Sequence, residues 1–233
     1  MLRENERLED LKYNGLEIIQ SDNLYRFTSD AVLLANAVKA RRIDRVCDLG
    51  SGSGIISILI AAKRGARVVG VEIQKELCDM ARRSVAHNGL ESVVEIFDCR
   101  IQDAEKTFGG GRFDIAVCNP PYGKKSDAKG INGQSDIIAR TEAEITLSEV
   151  VTCASKLLRF GGKFYIIIKT FRLFEAMKYM CDCKIEPKEL TLVIPTRGKA
   201  PDTAIICGAR GGKSGLKVEK PIYADECEFV QKQ

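Results

Sequence analysis

Four consecutive residues carry the strongest chemical signal in the chain: Asn119-Pro120-Pro121-Tyr122, directly after the apolar run Phe113–Cys118. They combine an amide side chain, a backbone carbonyl held by two prolines of fixed φ, and an aromatic ring. That set suits a planar base carrying an exocyclic amine. Such an amine is a poor nucleophile, because its lone pair is delocalised into the ring. Acceptors for both amine hydrogens would localise the pair, and the Asn119 side-chain oxygen and the Pro120 carbonyl can serve. Tyr122 would stack on a base turned out of its helix. The plain structural alternative is a proline turn ending a strand, with a surface tyrosine; the context disfavours it.

That context begins with Asp48-Leu49-Gly50-Ser51-Gly52-Ser53-Gly54, a glycine-rich turn between an apolar run and a helix-length segment. A dinucleotide site shares such a turn, together with an acidic residue about 20 positions on, here Glu72. Three features argue for a different ligand. Asp48 stands just before the glycines, where a carboxylate repels a pyrophosphate but attracts an ammonium. The turn departs from G-x-G-x-x-G, and Asp98 supplies a third acidic strand end. Three carboxylates at consecutive strand ends suit a ligand with an ammonium, a ribose diol and an adenine amine, all of which S-adenosylmethionine has. Glu72 would accept from both ribose hydroxyls and Asp98 from the adenine amine, with Ile73 and Cys99 beside them. Backbone amides opening the following helix would meet the methionine carboxylate. Asp48, Gly50, Ser51, Gly52 and Gly54 complete the expected cofactor set.

A sulfonium is already an activated leaving group, so the transfer needs proximity and orientation and no general base. His87, the only histidine, falls near a helix end far in topology from the motif and reads as a surface or capping residue.

The elements that must position these residues are legible from residue 43 onward, where short apolar runs alternate with amphipathic stretches. This is the pattern of a mostly parallel sheet flanked by helices, a doubly wound α/β fold. Strands are expected over 43–48, 67–72, 93–98, 113–118 and 163–168, with helices over 55–64, 74–87, 144–158 and 171–180. Two more strands are expected over 190–194 and 204–207. Upstream, segments 16–19 and 24–27 flank the turn-rich Ser21-Asp22-Asn23 and suggest a hairpin. A helix capped by Ser29-Asp30 follows, with the apolar stripe Leu33, Leu34, Ala37 and Val38. Residues 123–140 read as a long irregular loop. The whole of 1–233 is expected to form one domain: a hairpin and helix over 1–40, then a Rossmann-like core over 41–233.

Composition sets the bounds. A chain of 233 residues with 45% hydrophobic content supports one substantial core. Nine cysteines show no C-x-x-C pair, which argues against a disulfide framework or a structural metal, and their apolar surroundings fit a reducing cytoplasm. No signal segment or membrane span is expected. Net charge is only +4, but it is concentrated. Residues 196–220 carry a local +4 and 123–133 a local +2, leaving the rest slightly acidic.

The glycine turn, the acidic strand ends and N-P-P-Y together resemble the class I methyltransferases that act on nitrogen. Within that class the chain is similar to the bacterial tRNA1(Val) (adenine-N6)-methyltransferase family, which modifies the adenine just 3′ of the anticodon. The similar pieces include Arg7-Leu8-Glu9-Asp10-Leu11, Phe27-Thr28-Ser29-Asp30-Ala31, Ala139-Arg140-Thr141-Glu142, Ile185-Glu186-Pro187-Lys188 and the tail Gly211-Gly212-Lys213-Ser214-Gly215. Many relatives carry an aromatic residue after N-P-P-Y and a histidine after the A-R pair, where this chain has Gly123 and Thr141. The resemblance implies a seven-stranded sheet with its last strand antiparallel. It gives Asn119, Pro120 and Tyr122 the family's target-amine roles, and makes Asp30 a further cofactor contact.

The expected partner is tRNA, with Lys124, Lys125, Arg197, Lys199, Arg210 and Lys213 on its phosphates. Neither a membrane, a metal nor an obligate protein partner is expected. Two alternatives keep the chemistry but change the acceptor, to a protein glutamine amide or to a DNA adenine. A third is a non-catalytic RNA-binding module on the same fold.

Overall fold

In the computed structural model, which describes residues 2–22, 24, 27–120 and 145–227, the chain opens with a hairpin. Glu6–Asp10 (β1) pairs antiparallel with Glu17–Ser21 (β2). The connecting turn holds Lys12, Asn14 and Gly15 at positive φ, a conformation that asparagine and glycine tolerate best. The hairpin is thus displaced from the one expected around Ser21-Asp22-Asn23: the partner of Ile18 and Ile19 is the charged run upstream, and residues 24 and 27 belong to no strand. β1 lacks the apolar alternation that would have marked it as a strand.

Ser29–Ala37 (α1) follows, burying Ala31 through Ala35. Then come Arg45–Leu49 (β3), Ile55–Arg64 (α2), Arg67–Glu72 (β4), Lys75–His87 (α3), Val94–Asp98 (β5), Ala104–Phe108 (α4) and Phe113–Cys118 (β6). After residue 145 the described chain continues with Leu147–Leu157 (α5), Leu158–Lys169 (β7), Leu173–Asp182 (α6), Ile185–Ile194 (β8) and Thr203–Arg210 (β9). It closes with two short strands, Lys217–Val218 (β10) and Ile222–Tyr223 (β11). Helix α5 starts later than its apolar pattern suggested because Thr146 caps it. The threonine hydroxyl accepts from Glu149 N at 3.3 Å, and Glu149 Oε2 accepts from Thr146 N at 2.7 Å.

The sheet runs β10-β8-β9-β7-β6-β3-β4-β5, with β11 also on β8. Strands β3 to β7 are mutually parallel, and β9 is antiparallel to both β7 and β8. These seven strands with an antiparallel last member are the expected sheet; the tail adds the two short strands along its outer edge. β8 begins five residues earlier than anticipated. Pro187 lacks an N–H for the ladder and sits where the register shifts, between Pro187 and Glu189.

Apolar side chains of the helices fall into two clusters. Leu34, Ile58 and Ala81 of α1 to α3 join one, together with Leu11 and Ile18 of the hairpin; Ala104, Val151 and Met180 of α4 to α6 join the other. The sheet is therefore covered on both faces, as parallel pairing demands. The hairpin is also held to α3 by ion pairs Arg83–Glu6 (2.6 Å) and Arg3–Asp79 (2.9 Å). This topology brings the ends of β3, β4, β5, β6, β7 and β8, and the start of β9, to one edge, where open α/β sheets bind ligands.

Candidate active site

The glycine turn after β3 owes its spacing to backbone geometry. Gly50, Gly52 and Gly54 have φ of 75°, 55° and 86°, so every second residue lies in the left-handed region that a side chain disfavours. The turn is pinned to β4: the amides of Gly50 and Ser51 both donate to the Val71 carbonyl (2.9 and 3.0 Å), and the Gly52 amide donates to Glu72 Oε2 (2.9 Å). Gly70 makes room for it, since a Cβ there would lie 2.9 Å from Ser51 Oγ. Gly54 starts α2 and lets it approach α3, its missing Cβ being 3.1 Å from that of Ala81. Three of the turn's amides thus serve the fold; the carboxylate contact is expected of the amides that open α2, which follow them.

Asp48 sits behind the turn, fully buried, with Oδ2 accepting from the Ser57 hydroxyl at 2.7 Å. Among the described residues its Oδ1 has no partner, and neither does the buried Ser51 hydroxyl. Two orphaned polar atoms under one glycine turn are what a polar or cationic ligand would satisfy. Burial pushes the Asp48 carboxyl up to about 7, against the Ser57 hydrogen bond and with help from the Glu72 charge. An unfolded aspartate titrates near 3.9, so the folded, ligand-free protein holds an extra proton between about pH 4 and 7. Stability should therefore fall as pH rises through that window and level off above it. Asp48→Asn should flatten the slope in denaturant melts at several pH values; an unchanged slope would show that the carboxyl is not its source.

The open cleft beside the turn encloses about 830 Å³, solvent-open space included. Leu49, Gly50 and Gly52 form one wall, and Val71, Glu72, Ile73, Gln74 and Leu77 the next. Glu72 is 6% exposed, and besides Gly52 it accepts from the amides of Ile73 (3.0 Å) and Gln74 (2.9 Å) through Oε1. Asn119 and Pro120 line it from the β6 side. They are placed by the last residue of β6: Cys118 pairs with Leu49, and its thiol donates to the Leu49 carbonyl at 3.1 Å. The cleft thus joins the glycine turn, an anchored carboxylate and the first half of the N-P-P-Y motif.

Other expected residues lie elsewhere. Pro121 and Tyr122 fall outside the described residues, as do Lys124, Lys125, Gly123 and Thr141. Asp98 is exposed at the end of β5, beside Glu72 in register, and the amide of Cys99 donates to the Glu72 carbonyl at 3.0 Å; neither lines the cleft. Asp30, expected to touch the cofactor, instead pairs with Lys169 Nζ at 3.3 Å, and the same ammonium donates to Thr203 Oγ1 at 2.7 Å. A wall that sequence reasoning missed comes from Arg100, Ile101 and Gln102, with Ile145 and Val150 completing the lining. The 3-10 turn Ile101–Asp103 after β5 forms it. The signal was a polar stretch just past an acidic strand end.

The expected tRNA-binding cations divide between two edges of the sheet. Arg197 and Lys199 lie in the β8–β9 connection, on the same edge as Asn119. Arg210 ends β9 at the other edge, about 23 Å away along the strand, and Lys213 follows it. Arg197 is already engaged, its Nε donating to Glu226 Oε1 at 2.6 Å and its guanidinium 4.8 Å over Tyr223. Arg210 donates to the Leu158 carbonyl. Lys199 and Lys213 are exposed. The chain from 211 returns along β8 to the Asn119 edge.

Residues 26–182 match the methyltransferase small domain model. A tRNA1(Val) (adenine(37)-N6)-methyltransferase of Porphyromonas gingivalis is 30% identical over 196 residues, covering 81% of this chain and 76% of the relative. A protein of the same name from Aeromonas salmonicida is 23% identical over 185 residues, covering 78% and 76%. Among solved structures, one described as a predicted O-methyltransferase from Agrobacterium tumefaciens superposes with a TM-score of 0.70 at 22% identity, covering 87% of this chain and 93% of that one. At that identity the likeness speaks for the fold alone.

Proposed function

Because the chain belongs to the methyltransferase small domain family, we propose that it methylates N6 of an adenine in tRNA, using S-adenosylmethionine, at the position just 3′ of the anticodon of a tRNA(Val). The names of its relatives support this substrate. The observation that carries the reading is one cleft containing Glu72, the glycine turn and Asn119-Pro120.

S-adenosylmethionine, when bound, supplies a methyl group on a sulfonium that leaves readily. The residues that would hold it are Asp48 beneath the turn, Gly50, Ser51 and Gly52 in it, and Glu72 and Ile73 beside it, with Asp98 and Cys99 at the neighbouring strand end, outside the lining, and Gly54 setting the helix behind. Asn119 and Pro120 accept the hydrogens of the adenine amine, which turns its lone pair outward. Of the residues outside those described, Pro121 would restrict the carbonyl before it and Tyr122 would stack on the base, as their types suggest. Leu49, Val71, Ile101 and Val150 give the cleft an apolar lining against which the reacting groups would lie. A tRNA substrate supports action in the cytoplasm, and no helix among the described residues is long and apolar enough to cross a membrane.

The test is transfer from labelled S-adenosylmethionine into total tRNA lacking the native modification, followed by nucleoside mass spectrometry. N6-methyladenosine in tRNA(Val) supports the proposal; unlabelled RNA with cofactor binding intact overturns it in favour of a protein amide or DNA.

The division of cations adds a second expectation. Lys199→Glu should weaken tRNA binding about tenfold at moderate salt and reduce the log–log salt slope by about one. Lys213→Glu, on the far edge, should do less. Equal effects in filter-binding titrations would show that the bound RNA spans both edges.

A further inference from the structure

Just past β7 the chain presents two large aromatic side chains to solvent, Phe171 at 66% and Phe174 at 82% exposure. Phe171 lies in the 3-10 turn Thr170–Arg172 and Phe174 in the first turn of α6. Three residues apart they share one face, which exposed Lys178 continues four residues on. Ala176 and Met180 on the inner face are fully buried, so α6 is held to the sheet by its opposite side.

The place of this face in the fold matters. β7 lies beside β6, with Ile166 opposite Cys118, so the turn projects beyond the same edge as Asn119. The Thr170 amide donates to the Asp202 carbonyl at 2.9 Å and its hydroxyl to the Pro201 carbonyl at 3.3 Å. These bonds fasten the aromatic turn to the loop that carries Lys199. Glu175, the nearest carboxylate on α6, is matched by Arg172 at 3.0 Å, so it does not offset exposed Lys178, while on the fastened loop exposed Asp202 stands near Lys199.

We propose that Phe171 and Phe174 form a stacking platform for unpaired nucleotides flanking the target adenine, with Lys178 and Lys199 on the intervening phosphates. The inference rests on the tRNA reading above. Single-stranded RNA is bound by rings that stack on base faces and by cations that follow the backbone, and splayed loop nucleotides offer both groups. A protein-docking patch would use the rings but have no need of the flanking charges.

The chain contains no tryptophan, so Phe174→Trp introduces a single fluorescent reporter. Unmodified tRNA and a single-stranded oligoribonucleotide should quench it, whereas a blunt RNA duplex of equal length should not. The Phe171→Ala/Phe174→Ala double variant should raise KM for tRNA about tenfold or more while S-adenosylmethionine affinity by calorimetry stays unchanged. The double tyrosine variant, which keeps both rings, should retain a low KM. Both positions are exposed, so none of these changes touches the core. If the wild-type enzyme methylates tRNA and the alanine pair leaves KM unmoved, or if duplex quenches as well as single strand, the platform is overturned and the tRNA reading stands. If the wild-type enzyme leaves tRNA unlabelled, both fall.

Discussion

Asn119→Ala should lower turnover on tRNA by about 10²-fold or more while leaving S-adenosylmethionine affinity nearly intact. Asn119 lines the cleft directly after Cys118, which pairs with Leu49, so it flanks the glycine turn on one side while Glu72, at the end of β4, flanks it on the other; in the proposed mechanism its amide oxygen acts on the amine and not on the methyl donor. An acceptor needed mainly when the amine lone pair is localised stabilises the transition state more than the ground state, so its loss appears in kcat. Asn119→Asp keeps an acceptor at that position and should retain more turnover than the alanine variant. Single-turnover kinetics with calorimetry would separate the two effects. Parallel losses of turnover and cofactor affinity would instead assign Asn119 to holding the cofactor or the fold.

Glu72→Ala, on the β4 side of the glycine turn, should act in two ways. Its carboxylate accepts from the amides of Gly52, Ile73 and Gln74, so truncation removes the partner of three backbone donors and loosens the glycine turn. Each unsatisfied buried donor costs about 1–3 kcal/mol where water cannot replace the partner. In a chain of this size that lowers Tm by several degrees, at roughly 2–4 °C per kcal/mol. Loss of the ribose contact should weaken cofactor binding by a further 1–3 kcal/mol, about 5- to 150-fold in Kd. Glu72→Gln distinguishes the two roles: it keeps one oxygen for the amides and should recover much of the Tm while cofactor affinity stays low. A glutamine variant with wild-type affinity would mean that Glu72 serves the turn alone.

The residues in these two predictions were legible before any coordinates, because the demands on them are local. Left-handed φ at alternating positions selects Gly50, Gly52 and Gly54 wherever the chain goes next. A strand ending in Glu72, or running into Asn119-Pro120, announces itself through a short apolar run and a breaker. Two-residue and 3.6-residue periods located most strands and helices for the same reason. They failed at β1, whose face is charged, and at the start of β8, where Pro187 interrupts the ladder.

What depends on pairing across long stretches of chain was not legible. Nothing near Asp48 in sequence shows that the turn folds over it and buries it, which raises its pKa and leaves one carboxyl oxygen without a partner among the described residues. Asp30 and Lys169, 139 positions apart, meet only because α1 packs against β7. The cations read as one basic tail are separated because β9 runs antiparallel to its neighbours, carrying Lys199 to the edge with Asn119 and Lys213 to the opposite one. Phe171 and Phe174 fall within the helix expected over 171–180, and nothing local shows that the fold leaves both largely exposed. Local sequence specifies conformation and chemistry residue by residue; which edge a residue reaches, and what covers it, is set by strand order, a property of the whole sheet.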